Sequence, residues 1–190
     1  NGDGTLDLVT VDFDPTGRSR LWIGNGDGTF FEQEGAFDGS LTKQGMDTAA
    51  GDLDADGDLD LVQTFNSTAE ISVFLNDGNG FFTEGELEDV PGGQGFLDVD
   101  LGDLDGDGDL DFICNAGFEG YPDYFFLNDG NGAFVIGGSF DPPHHTARYP
   151  KLVDLDGVGE TGQNILDLFM SSSADGGIAF TFTRNTSLQA

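Results

Sequence analysis

The chain has 190 residues, 36 of them acidic and only 6 basic, for a formal net charge of −30. That balance excludes nucleic-acid binding through the phosphates, which needs clustered Lys and Arg, and no apolar run approaches the roughly 18 residues of a membrane span. Acidity of this order often goes with disorder, but 18 Phe and many short runs of Leu, Ile and Val argue for a packed core, and 31 Gly for many tight turns.

In chain order, the first element is a loop, NGDGTLDLV from Asn1, that runs into a short apolar strand. The turn GNGDGTFF follows at Gly24. The second unit reads in full: Met46 to Gly51 is a weak strand, and GDLDADGDLDLV from Gly51 is an Asp-rich loop. Leu59 to Phe65 leaves that loop as a strand, and Asn66 to Ala69 is a turn. Ile71 to Leu75 is a third strand, Asp77 to Gly80 a tight turn, and Phe81 to Leu87 a fourth strand. Asn-Gly and Asp-Gly pairs between apolar runs are hairpin signals. The third unit repeats this with GDLDGDGDLDFI from Gly102 and NDGNGAF from Asn128. The fourth carries KLVDLDGVGETGQNILDLF from Lys151 and a last strand from Ile178 to Thr183.

These units are copies. Asp52 and Asp103 lie 51 residues apart, as do Asp103 and Asp154, and Asn25, Asn76 and Asn128 follow at 51 and 52. Repeats at this period build propellers, solenoids or arrays. The strand faces narrow the choice: in ISVFL, Ile71, Val73 and Leu75 point one way and Phe74 the other, and in YFFL, Phe125 and Leu127 oppose Tyr124 and Phe126. Apolar groups on both faces need cover on both sides, which stacked blades provide. The expected fold is all-β: a single β-propeller region over 1–190, built from four-stranded antiparallel blades, with repeats at approximately 1–45, 46–96, 97–147 and 148–190. At 51 residues per unit the chain holds about 3.7 units. The expectation is therefore an arc of a larger ring, or one that packs against further copies, rather than a closed four-blade ring.

The Asp-rich strings follow DxDxDGxxD. Alternate residues of a tight loop turn toward one centre, so acids at positions 1, 3, 5 and 9 with a carbonyl at 7 make an all-oxygen cage. Such a cage suits Ca²⁺, whereas zinc favours His or Cys and Mg²⁺ keeps more water. Gly57 and Gly108, at position 6, allow the positive φ that curls the chain round an ion. An EF-hand begins with the same letters but needs Glu at position 12 and flanking helices. Position 12 is Gln63 in one loop and Cys114 in the other, both in β-like runs, so that reading fails. A solvated acidic turn without metal is set aside because two near-identical copies recur at a fixed period.

DLDADGDLDLV and DLDGDGDLDFI, with LNDGNGFF and LNDGNGAF downstream, resemble the FG-GAP/VCBS repeats that build the calcium-binding β-propeller of integrin α subunits and of many bacterial and marine secreted proteins. The resemblance implies side-chain ligands at Asp52, Asp54, Asp56 and Asp60, with the carbonyl of Asp58. In the next loop it implies Asp103, Asp105, Asp107 and Asp111, with the carbonyl of Asp109. The outer repeats depart from the pattern. Asn1, Asp3 and Asp7 match positions 3, 5 and 9 with Thr5 at the carbonyl position. Asp154, Asp156 and Asp167 match 1, 3 and 9 of a longer loop that has Val158 at position 5 and Glu160 as a substitute ligand. Two Ca²⁺ sites are thus expected, with two further candidates.

Cys114, the single cysteine, reads as a buried, inert thiol. His144 and His145, in SFDPPHHTARYP, read as a surface loop, and no nucleophile has a matching base, so no enzyme activity is expected. Trp22, Tyr121, Tyr124 and Tyr149 are the aromatic candidates for sugar contacts, although Trp22 and Tyr124 lie in strands and read as core. Two sequons start at Asn66 and Asn185. The expected role is calcium-stabilised extracellular recognition or adhesion, at the cell surface or in the matrix, with a protein or glycan ligand. The alternative is a carbohydrate-binding or accessory propeller of a secreted polysaccharide-degrading enzyme.

Overall fold

The computed structural model describes residues 1–14, 17–37, 44–66, 70–91, 95–116, 121–140, 147–153, 167–172 and 180–182. Among them, strands make up all the regular structure, in four antiparallel sheets of consecutive strands. Sheet 1 holds β1 (Leu8–Thr10), β2 (Arg20–Gly24) and β3 (Phe30–Glu32). Sheet 2 holds β4 (Gly45–Gly51), β5 (Asp60–Phe65), β6 (Ile71–Asn76) and β7 (Phe82–Glu84). Sheet 3 holds β8 (Asp98–Gly102), β9 (Asp111–Asn115), β10 (Asp123–Asn128) and β11 (Phe134–Phe140). Sheet 4 holds β12 (Ala147–Val153), β13 (Asp167–Ser172) and β14 (Phe180–Phe182). The four-stranded antiparallel unit expected from the repeat is present in full in sheets 2 and 3. No described helix is long and apolar enough to cross a membrane.

The sheets stack face to face, as the alternation in the strands requires. Phe74, with Leu61 and Phe82, packs toward sheet 1 against Leu21, Ile23 and Val9. Ile71 and Val73 on the opposite face, with Leu75, pack toward sheet 3 against a cluster that includes Phe112, Phe126 and Phe134. Stacked rings at Phe112 and Phe126, 4.5 Å apart, sit at the centre of that interface. Burying a Phe, Leu or Val side chain is worth about 1.5–3 kcal/mol, so these two layers supply the main cohesion between sheets. The first strands of successive sheets are also tied by acids. Asp47 accepts a hydrogen bond from Val99 N at 3.2 Å, and Asp100 accepts from Leu152 N at 2.7 Å and from Lys151 Nζ at 2.8 Å.

Two expectations need correction. The strand expected from Phe81 to Leu87 is only Phe82–Glu84. At Gly85 the chain passes so close to Val73 that a Cβ would lie 3.2 Å from its Cγ1. It then crosses to the next sheet, where Leu87 bridges Phe134. The equivalence of Asn25 with Asn76 and Asn128 is also off by one. The residues that pair with the phenylalanine after the turn are Gly24 with Phe30, Asn76 with Phe82, and Asn128 with Phe134. Gly24 replaces asparagine there because a Cβ would sit 2.1 Å from the Leu6 carbonyl oxygen.

Among the described residues, one face of sheet 1 has no neighbouring sheet. Leu8, Trp22 and Phe30 hold the register positions that Leu61, Phe74 and Phe82 hold in sheet 2, where all three are buried against a neighbouring sheet. Leu8 and Phe30 are 48% and 46% exposed.

Candidate metal centres

Each Asp-rich loop joins the first strand of a four-stranded sheet to the second. Gly57 and Gly108 take φ of 97° and 102°, the left-handed conformation expected at position 6. The loops are wound by Asx turns, in which a side chain accepts the N–H two residues on. Asp54 accepts from Asp56 N, Asp56 from Asp58 N, Asp105 from Asp107 N and Asp107 from Asp109 N, at 2.9–3.2 Å. The winding turns alternate carboxylates inward.

Two acidic groups result. Oxygens of Asp52, Asp54 and Asp56 lie within 4.8 Å of one another in the first loop, as do those of Asp103, Asp105 and Asp111 in the second. Asp60 and Asp107 are not among these converging sets. Asp52 Oδ1 is shielded from solvent and has no hydrogen-bond partner among the described residues. A buried carboxylate oxygen in that condition is costly unless a cation meets it, and the all-oxygen donor set fits a hard cation. Either group can hold a metal ion.

Asp60 and Asp111 have a second task that the motif does not advertise. Asp60 accepts Leu53 N and Asn76 N, each at 2.8 Å, one on each oxygen. Asp111 accepts Leu104 N at 2.7 Å and Asn128 N at 2.9 Å in the same way. Each therefore closes its loop and anchors the end of the third strand. Asp58 and Asp109 lie against the hairpin turns, since a Cβ on Gly78 or Gly130 would come within about 2.5 Å of their carboxylates.

In the first loop of the chain the pattern is different. Asp3 accepts Thr5 N at 2.8 Å and lies 2.5 Å from Thr5 Oγ1, while Asn1 Nδ2 donates to Asp3 at 3.0 Å. The Thr5 bonds hold Asp3 below the usual carboxylate range. Asp7 accepts Gly24 N at 2.9 Å, the same anchoring role as Asp60 and Asp111. No group of three acids forms there among the described residues. Asp154, Asp156, Val158 and Glu160 lie outside the described residues, as do His144, His145 and the sequon at Asn185. Asp167 begins β13.

Burial and crowding raise the site carboxyls. Asp111 is pushed up to about 6, chiefly by burial, with the charges of Asp105 and Asp107 adding to it. Asp54, Asp60 and Asp105 are raised too, burial again leading. A carboxyl whose folded value exceeds the ordinary ~3.9 holds its proton more tightly folded than unfolded. The metal-free chain should therefore gain stability as pH falls from above 6 toward 4, and be least stable above that window. Melting curves in chelator at pH 7, 6 and 5 test this: the melting temperature should rise on acidification, and a fall would contradict it.

Cys114 and Tyr124 serve packing, whereas Trp22, expected as core, is half-buried on the open face of sheet 1. The Cys114 thiol is buried and burial pushes it well above its ordinary value, as an inert core group. Tyr124 lies edge-on to Phe96 and donates its hydroxyl to Pro91 O at 3.3 Å, and Trp22 Nε1 donates to Thr10 at 3.2 Å. Where the segment after β7 runs along the β10–β11 hairpin of sheet 3, a cleft of about 360 Å³ is lined by Glu86, Leu87, Glu88, Asp129 and Val135.

The FG-GAP-like repeat family model matches residues 1–63 and 64–114. The chain belongs to the FG-GAP-like repeat family. No curated protein matches it. Among solved structures it is similar to an Agrocybe aegerita lectin, solved in specific recognition of non-reducing terminal N-acetylglucosamine. The TM-score is 0.55 at 21% identity, over 87% of this chain and 46% of the lectin. It is also similar to a chain of the Photorhabdus luminescens Tc holotoxin pore, with a TM-score of 0.47 at 19% identity, over 92% of this chain and 8% of that one. This FG-GAP-like chain thus spans less than half of the lectin it resembles. The lectin likeness shows a shared, propeller-like fold.

Proposed function

We propose that this FG-GAP-like repeat chain is a calcium-binding, calcium-stabilised propeller module, secreted or displayed at the cell surface, that recognises a glycan or a protein and is not itself an enzyme. The observation that carries the calcium reading is the shielded Asp52 Oδ1, without a hydrogen-bond partner among the described residues, beside Asp54 and Asp56. Asp52, Asp54 and Asp56 would hold one ion, and Asp103, Asp105 and Asp111 another. The ion would supply the positive charge that lets these carboxylates sit together ionised. Asp60 and Asp111 meanwhile fix the loop ends through backbone N–H groups. Millimolar extracellular calcium keeps even modest sites filled, which fits a net charge of −30.

The lectin fold supports a glycan as the first ligand to test, and the cleft by Glu86, Glu88 and Asp129 offers acceptors for sugar hydroxyls. A glycan array in Ca²⁺, run beside an activity screen on acidic polysaccharides, separates the readings. Glycan binding without turnover supports the module, and turnover rejects it. The second reading, a carbohydrate-binding or accessory propeller of a secreted polysaccharide-degrading enzyme, shares the glycan ligand that the lectin likeness supports.

Partners include further blades or further copies, received by the open face of sheet 1. Leu8 and Phe30 are exposed there, and Arg18 and Arg20 stand beside Glu32 in a chain with few cations. Light scattering of the 190-residue chain should give a mass above the monomer, and Leu8→Glu should lower it. A stable monomer at high concentration would reject this contact.

A further inference from the structure

We propose that Asn128 couples the two acidic loops, so that an ion held in one raises the affinity of the other. The inference deepens the calcium reading above and rests on it.

Asn128 ends β10, and its side-chain amide is shared between two sheets. Nδ2 donates to Leu53 O at 2.7 Å in the loop of sheet 2 and to Leu110 O at 3.1 Å in the loop of sheet 3. The amide carries two hydrogens, one for each carbonyl. Leu53 lies between Asp52 and Asp54, and Leu110 between Asp109 and Asp111. The Asn128 backbone N–H donates to Asp111 Oδ1 at 2.9 Å, and Oδ1 of the side chain accepts Gly130 N and Gly132 N at 3.1 and 3.2 Å. One buried residue therefore holds a peptide unit in each loop and a carboxylate of the second.

The surroundings leave little slack. The Leu53 side chain is buried in the same cluster as Phe112, Phe126 and Phe134. A Cβ on Gly51, next to Asp52, would lie 2.6 Å from Leu110 Cδ1. A Cβ on Gly132, in the turn that Asn128 closes, would lie 2.8 Å from Leu75 Cδ2 and 3.5 Å from Asp54 Cβ. Loop 51–60 and loop 102–111 cannot shift independently through such contacts. Asn76, the equivalent residue of sheet 2, donates to Leu59 O at 3.1 Å, within its own loop.

The physical consequence is a shared ordering cost. Closing a loop round an ion restricts its backbone. A loop already held by an ordered neighbour has less freedom left to lose, so the second ion binds more tightly. The coupling must be reciprocal.

The test is a double-mutant cycle on the full chain, read by calcium titration. Asp105→Ala removes a carboxylate of the converging set in loop 102–111 and leaves the ligands of loop 51–60 in place. Asn128→Asp keeps an oxygen for Gly130 and Gly132 but removes the donor to both loops. With Asn128 present, Asp105→Ala should weaken binding at loop 51–60 about five-fold or more. In the Asn128→Asp background it should leave that site unchanged. Equal weakening in both backgrounds, or none with Asn128 present, would overturn the proposal. The unsubstituted chain gives a readout independent of any variant's folding, namely a Hill coefficient above 1 for the two ions. Two ions bound with a coefficient of 1 would remove the coupling and leave the calcium reading standing. A chain that binds no Ca²⁺ would remove both.

Discussion

Stripping Ca²⁺ with a chelator is expected to lower the melting temperature of this chain by about 10–20 °C. An ion at 100 times its dissociation constant stabilises the folded state by about 2.7 kcal/mol per site. Two sites, formed by the acids around Asp52 and Asp103, then contribute about 5 kcal/mol. In a domain of this size 1 kcal/mol shifts the midpoint by about 2–4 °C. The effect should be this large because the ion removes two penalties at once. It neutralises carboxylates held within 4.8 Å of one another, and it satisfies Asp52 Oδ1. Calcium should restore the midpoint fully. Magnesium should restore less, since it demands octahedral geometry at 2.0–2.1 Å and gives up its water reluctantly. Calorimetry in chelator, in Ca²⁺ and in Mg²⁺ reads the result, and an unchanged curve in excess chelator would end the structural role of the metal.

The parts of this site legible in the sequence are those fixed by local spacing. The Asp strings announce a wound loop because alternation and a glycine at position 6 act within nine residues. The faces of β6 were legible for a similar reason, since a strand has period 2 and Phe74 must oppose Ile71 and Val73. What spacing could not separate was the turn register. GNGDGTF and NDGNGFF both carry, at or next to their start, an asparagine ahead of a glycine pair. The pairing of Gly24 with Phe30 and of Asn76 with Phe82, with the close approach of Gly24 to Leu6 O, decides between them. Nor could a motif match reveal that Asp60 and Asp111 serve the backbone, because both partners of each carboxylate lie outside the DxDxDGxxD frame or are unmarked within it. The reach of Asn128 to Leu53 spans 75 residues and two sheets, and no local pattern encodes it.

Asp60→Ala and Asp56→Ala should therefore behave differently, although a motif reading treats both residues as ligands. Asp60 is fully buried, and removing its carboxylate strips the acceptor from Leu53 N and from Asn76 N. Each buried donor left unpaired costs about 1–3 kcal/mol, so the loss should be about 2–6 kcal/mol. It should persist in chelator, because neither hydrogen bond needs the ion. Asp56 is exposed and accepts one local bond, from Asp58 N at 2.9 Å. Its substitution should lower the melting temperature only in calcium, by one ion's share, and in chelator its curve should lie at or above that of the parent, since it removes a charge beside Asp54. Calcium titration should count one ion fewer for Asp56→Ala, and Asp105→Ala, likewise exposed and accepting one local bond, should act alike in the other loop. Asp111→Ala should strip the acceptor from Leu104 N and Asn128 N as Asp60→Ala does from Leu53 N and Asn76 N, and, because Asp111 belongs to the converging set, should also count one ion fewer. If the effect of Asp60→Ala disappears in chelator, its carboxylate acts through the ion and the backbone bonds are incidental. If Asp56→Ala retains full stoichiometry, Asp56 is not a ligand, and the cage must draw its third carboxylate from elsewhere in the loop.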